Sequence, residues 1–357
     1  MKRFTLTTIP LLCAAITPLC ADAQGYDDKM TDAQRQQKYM DEMNKITPSG
    51  EPAVTRWADP FITADFIWWK TMEDGLDYAY TGTSGAVGVD AHKGKLKHPR
   101  FKYEPGFKVG AGLKFRHDGW DTFVQYTRLN FNRQRSGSSD VQTAVAVPFG
   151  GETLTWQAEH ASGKWSLNFN VIDWELGRNF WVSKWLTLRP FVGLKFDWTT
   201  QKFKVEYKEI ASTDIMIDGS DVAVKMHENQ WAAGLRAGLN TTWYMARHWC
   251  IFGELALSGM VNSFNTSRKD DFETPAGLEW IQNNFKGRTT NVTPVMEWSL
   301  GLRYETAFHN DDYMFQFQVG WEEQVWFNQN QFSYLPTGGR NTDLTFQGLT
   351  VKAAFYF

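Results

Sequence analysis

The chain has 357 residues and a net charge of −3, so it carries no basic footprint for nucleic acid. Its mean hydropathy of −0.44 is too polar for a bundle of membrane helices, and no stretch after the N-terminus offers about 18 uninterrupted apolar residues. Yet 15% of the residues are aromatic, with 17 Trp, 26 Phe and 29 Gly, which suits a sheet whose two faces meet different solvents.

Lys2 and Arg3 precede an apolar run to Leu19, which Ala21-Asp22-Ala23 closes. This pattern predicts a secretory signal peptide over residues 1–23, cleaved after Ala23. Cys13 and Cys20 would leave with it, so the mature chain would keep Cys250 alone and no internal disulfide framework. Residues 24–58 read as a polar helical extension and linker on the periplasmic side. Thr31 and Gln34 have capping-box spacing, and Pro48-Ser49-Gly50 stops the helix. A free extension, a plug entering a barrel and a cell-wall contact are all open for this segment.

Residues 59–357 alternate with a period of two, the signature of strands. Between Trp231 and Trp243 the odd positions are Ala233, Leu235, Ala237, Leu239 and Thr241, whereas Gly234, Arg236, Gly238 and Asn240 fill the even ones. The strand windows are 59–82, 101–116, 120–133, 165–180, 185–200, 228–243, 248–262, 293–307, 312–327 and 342–357. Their links alternate between short turns, such as His117-Asp118-Gly119, and long segments, such as 134–164, 201–227 and 263–292. That rhythm predicts an all-β, transmembrane, antiparallel up-and-down β-barrel of about ten strands, with a range of 8–12. Tight turns would face the periplasm and long loops the exterior.

A girdle of tryptophans fits the same reading. Trp231 and Trp243 share a parity and stand 12 residues apart. At ~3.3 Å per residue and a ~40° tilt, they are about 30 Å apart along the axis. Trp185 and Trp198 repeat the spacing, and Trp120, Trp181 and Trp249 sit beside short turns. The last strand ends in Phe357, which is expected to serve as the assembly signal read by barrel-assembly machinery. Closure removes the strand edges that lipid cannot hydrate. Some positions fit badly. Pro190 lies inside a strand, the third strand allows either face outward, and the phase change between Val171 and Ile172 suggests a bulge.

If the apolar parity faces lipid, the other faces the lumen. Its candidate lining is Lys108, Lys114, Asp173, Glu175, Arg189, Lys195, Arg236, Glu254, Glu297, Arg303, Glu305 and Glu322. Both signs of charge are present, which predicts weak ion selectivity through a narrow bore. A pore of small conductance and a lumen filled by salt-bridged side chains are both compatible with these residues. Chemistry is otherwise sparse. Glu159-His160 adjacency does not make an oriented dyad, and Asp270-Asp271 with Glu273 reads as an acidic surface turn. Lys93-Gly94-Lys95-Leu96-Lys97 could touch lipopolysaccharide phosphates or simply be solvated. No catalytic residue, metal site or cofactor is assigned, and no enzyme activity is expected.

Phe66-Ile67-Trp68-Trp69-Lys70 and Glu73-Asp74-Gly75-Leu76-Asp77-Tyr78-Ala79, with Pro105-Gly106-Phe107-Lys108-Val109-Gly110 and His117-Asp118-Gly119-Trp120-Asp121, carry a family resemblance. They resemble the first hairpins of pore-forming outer-membrane proteins akin to the chlamydial and legionella major outer-membrane proteins. The resemblance implies a porin-like channel in the bacterial outer membrane for passive diffusion of small solutes and ions. The alternative is a largely closed barrel acting through its loops as a structural protein or adhesin. Expected partners are outer-membrane lipid and lipopolysaccharide, the assembly machinery and small solutes, with homo-oligomers a further option. The chlamydial members are cysteine-rich and cross-linked; a mature chain with Cys250 alone departs from that pattern.

Overall fold

A computed structural model describes residues 57–81, 94–115, 119–149, 152–212, 217–308, 313–332 and 342–357. The expected signal peptide and the extension up to residue 56 lie outside the described residues. Ten long strands close a ring: β1 (Ala58–Glu73), β2 (Tyr103–Phe115), β3 (Trp120–Thr143), β4 (Gln157–Arg178), β5 (Leu186–Ala211), β6 (Asp221–Tyr244), β7 (Trp249–Glu273), β8 (Glu279–Phe308), β9 (Tyr313–Asn330) and β10 (Thr342–Tyr356). Each pairs antiparallel with its sequence neighbours, and β1 closes on β10 through Phe61↔Tyr356 to Glu73↔Leu344. All ten fall on the windows read from the sequence. They are longer than those windows at their external ends, where β3 to β8 run 22 to 30 residues.

The extra length has a physical origin. Along β5 the outward side chains are Leu188, Val192, Leu194, Phe196 and Trp198, followed by Thr200, Lys202, Lys204 and Glu206. The inward ones are Arg189, Lys195, Asp197, Thr199 and Gln201, followed by Phe203, Val205 and Tyr207. In the lower storey the outside is apolar and the inside polar, as hydrocarbon demands. Above Trp198 the rule reverses, because water now lies outside and the interior must be a packed core. β6 turns over at the same level, with Trp231 directly opposite Trp198. The barrel is thus two storeys on one set of strands.

This inversion corrects the expected bulge at Val171 and Ile172. The pairing of β4 with β5 runs without a register shift through both residues. Trp165, Leu167, Phe169 and Val171 point into the upper core, and Ile172, Trp174 and Leu176 point outward below it. The apolar phase changes because the surroundings change, with no kink in the strand. A register shift does occur in β3, between Phe131 and Gln134. Pro190 is also accounted for. On the β4 side, pairing breaks between Phe191↔Gly177 and Leu188↔Phe180, so its missing N–H costs no ladder bond there. Gly75, with φ of 82°, takes the tight turn that ends β1.

The upper core joins strands from all round the ring. Trp69, Trp165, Trp326, Phe203, Phe346 and Phe169 are each essentially inaccessible. The Tyr78 segment dips into it, and Tyr207 donates its hydroxyl hydrogen to the Tyr78 carbonyl at 2.5 Å.

Candidate functional site

The lower storey holds most of the inward charged groups. Lys195 stands opposite Asp173 in the β5–β4 register, and their ion pair is 2.7 Å long. Lys195 Nζ also reaches Glu297 on β8 at 2.7 Å. Arg236 on β6 donates to Glu175, to Glu297 at 3.0 Å, and lies 3.6 Å from Asp173. Arg189 donates to Glu175 at 2.9 Å and grips Asp121 of β3 in a fork at 2.5 and 2.8 Å. The result is one continuous network of three cations and four carboxylates, tying five strands together. Charge-assisted bonds of this kind hold each side chain in a single geometry.

Two smaller groups flank it. Lys108 Nζ donates to Glu322 at 2.5 Å, and Glu322 also accepts from Thr350 at 2.8 Å. Asp65 accepts from Gln125 at 3.2 Å. Arg303 donates to Thr242 at 3.0 Å and to Gln318 at 3.2 Å, beside Glu305 and Glu254. Lys114 lies over the Tyr356 ring, 4.1 Å from its centroid. All twelve candidate lining residues therefore point into the barrel. They border a cavity of about 190 Å³ except for Lys195, which is buried beneath Trp326.

The sequence reading left Asp121, Asp65, Gln201 and Glu228 out of the lining. For Asp121 a signal was available: Trp120 beside a short turn faces out, so its neighbour faces in. Glu228 and Glu73 lie above the girdle level, where the polar interior meets the aromatic core. Gln201 donates to Glu73 at 3.3 Å, and Glu228 accepts the Gln331 backbone N–H at 2.7 Å. Burial pushes the Glu228 carboxyl up to about 8 and raises that of Glu73 well above the usual carboxylate range, each helped by nearby negative charge.

Directly above, the aromatic core crosses the bore. Phe169 on β4 and Trp326 on β9 stand on opposite sides of the ring, and their ring centroids are 5.4 Å apart. Phe346 packs at a tilt against Phe169, with ring centroids 4.5 Å apart, and against Trp69 at 5.8 Å. Nothing in the sequence reading anticipated this floor.

Of the girdle residues, Trp120, Trp185, Trp198, Trp231, Trp243 and Trp249 are exposed on the outside. Trp181 differs: it pairs across from inward Thr187 and packs on Tyr244 at 5.1 Å, so it belongs to the periplasmic mouth of the lumen. Phe357 is exposed and donates its backbone N–H to the Pro60 carbonyl at 3.1 Å. Cys250 is buried and faces inward.

His160 Nδ1 and Ser139 Oγ are hydrogen-bonded at 3.0 Å, and the imidazole lies 3.8 Å from Glu159. Its side chain is 55% exposed, so among the described residues the trio has none of the enclosure that favours nucleophilic catalysis. Asp270 and Asp271 point to opposite faces. Asp270 is buried against Arg268 at 2.8 Å, and Asp271 faces outward to Lys225 at 2.7 Å, so the two cannot share a cation. No group of three or more potential ligands able to hold a metal ion occurs among the described residues.

A family profile described as Legionella pneumophila major outer membrane protein precursor matches residues 52–357. No curated protein matches the chain. Among solved structures, a major outer membrane protein from Thermus thermophilus is similar at 9% identity, over 85% of this chain and 100% of that one, with a TM-score of 0.32. The outer membrane protease OmpT from Escherichia coli is similar at 10% identity, over 84% and 96%, with a TM-score of 0.37. A Pseudomonas aeruginosa FadL homologue gives 7%, 85%, 91% and 0.28 in the same order.

Proposed function

Since the chain belongs to the Legionella major outer membrane protein family and forms a β-barrel of the bacterial outer membrane, we propose that it is a closed surface barrel: a scaffold that carries a packed external storey and its loops above the membrane. One observation carries this reading. The Phe169–Trp326 contact joins opposite walls of the ring within an aromatic core whose members are essentially inaccessible. Water and ions crossing the barrel would have to displace that core, and packed interiors resist such displacement. Below it, Arg189, Lys195 and Arg236 are tied in ion pairs to Asp121, Asp173, Glu175 and Glu297, as Lys108 is to Glu322. The reading also takes residues 1–23 as a signal peptide and residues 24–58 as a periplasmic extension, of which those up to 56 lie outside the described residues. Phe357 suits recognition by the assembly machinery.

A second reading, a narrow channel for small ions and solutes, is favoured by the cavity of about 190 Å³ lined by both signs of charge. It requires the core to open. Planar-bilayer recording on the folded full-length protein separates the two. The closed reading expects no steady salt conductance from the native barrel, and conductance appearing in a Phe169→Ala/Trp326→Ala double variant. Steady conductance from the native protein at low voltage would sink it.

A further inference from the structure

The outer wall just above the girdle carries a charge pattern that the closed-barrel reading does not use. On β4 to β8, three successive cross-strand rows follow Trp198 and Trp231 on the outward face. The first pairs Thr200 with Asn168 and Asn229. The second pairs Lys202 with His227, then His227 with Ser267 and Ser267 with Lys286. In the third, Lys204 stands directly opposite Lys164 on one side and Lys225 on the other, and Lys225 stands opposite Lys269. No carboxylate falls in any of these rows. Acids begin in the next row, with Glu206 and Asp271.

Like charges placed directly opposite one another on neighbouring strands are destabilising. Here four lysines stand abreast. Some of that repulsion is met from above: Lys204 pairs with Glu206 at 2.5 Å, and Asp271 bridges Lys225 at 2.7 Å and Lys269 at 2.9 Å. Those acids lie on the side away from the membrane. The belt's lower edge faces the lipid, with Lys202 and Lys286 in the row nearer to it. Burial, with the Lys202 charge added, lowers the His227 imidazole from its usual value.

Height selects the partner. Lys202 and Lys204 are four and six residues beyond Trp198, about 10 and 15 Å above the girdle at ~2.5 Å of axial rise per residue. Lysine stems lie along a surface and reach back toward an interface, so the ammonium groups cover the polar zone of the outer leaflet. We infer that this lysine belt on β4–β8 is a binding site for the phosphates of an outer-leaflet glycolipid headgroup, holding the lipid against one side of the barrel. Apolar Val192, Leu194 and Leu235 directly below offer the acyl chains their contact.

The test uses the folded full-length protein in detergent, titrated with diphosphorylated lipid A and followed by native mass spectrometry. The inference expects bound lipid A, about tenfold weaker binding of the dephosphorylated form, and a steep loss of affinity with salt. A Lys204→Gln/Lys225→Gln/Lys269→Gln variant should lose at least about tenfold in affinity. Arg178→Gln/Lys184→Gln/Arg247→Gln, which removes the same charge from the opposite rim, beside the short turns, should not. Equal binding of the phosphorylated and dephosphorylated lipids would overturn the proposal, as would equal losses in the two triple variants. Competition by inorganic phosphate at the same concentration as lipid A would overturn it too, marking a free-anion site instead.

Discussion

Glu228 sits three residues beyond the Trp231 girdle position, fully enclosed, with Glu73 and Asp197 contributing nearby negative charge. One of its oxygens accepts from the Gln331 backbone N–H, and Gln201 stands beside the carboxylate. A carboxylate in such a place would be costly, so the folded barrel keeps the group protonated up to about 8. The unfolded chain releases that proton near the ordinary value of 4.5. Between these limits the folded state holds the extra proton, so stability is greatest below about 4.5 and declines as pH rises to about 8. Urea midpoints measured across that window should fall with pH in the native protein. Glu228→Gln, which keeps the shape without the acid, should flatten the decline and raise the midpoint at pH 8. An unchanged slope in that variant would mean that Glu228 is ionised and hydrated in the folded protein.

Within the strands, crowding of the backbone dominates. A ten-stranded ring is tightly coiled, and its inner surface leaves little room between neighbouring chains. Gly193 on β5 faces inward, where an added Cβ would collide with the Trp174 carbonyl oxygen. Gly348 on β10 meets the Trp68 carbonyl in the same way. Gly193→Ala should therefore cost about 1–3 kcal/mol, read as a lower urea midpoint. Gly259→Ala, on the outward face of β7 with open space around it, should cost nothing measurable. The same strands explain what the sequence made legible. Period-two alternation marked the ten spans, because most of them are apolar on one parity only, the third being the exception. Their lengths were hidden, because the parity rule reverses where β5 passes from Trp198 to Phe203. Phe203-Lys204-Val205-Glu206-Tyr207 still alternates, but in the opposite sense, so it falls in the long segment 201–227 of the sequence pattern. The lumen charges were readable for the matching reason, as polar residues on the parity opposite the girdle. The aromatic floor was not, since Phe169, Trp326 and Phe346 come together only when strands far apart in sequence close the ring.

At the scale of the whole molecule, the inversion makes one strong claim: the same outward position has opposite requirements in the two storeys. β6 offers a matched pair. Ala237 and Ala223 both point outward, the first between Trp231 and Trp243 and the second above the lysine belt. Ala237→Lys places a charge in the hydrocarbon and should cost about 2–4 kcal/mol in refolding into lipid vesicles. Ala223→Lys places the same charge in water beside Glu206 and should shift the free energy by no more than about 0.5 kcal/mol. The neighbouring position reverses the order again. Val224 is buried in the upper core, so Val224→Lys should be among the most damaging single changes, since it strands a charge among apolar side chains. Urea titration of the three variants in the same vesicles decides the matter. If Ala223→Lys cost as much as Ala237→Lys, hydrocarbon would reach the upper strands. The external storey would then be membrane wall, and the lysine belt could not lie at the height of a lipid headgroup.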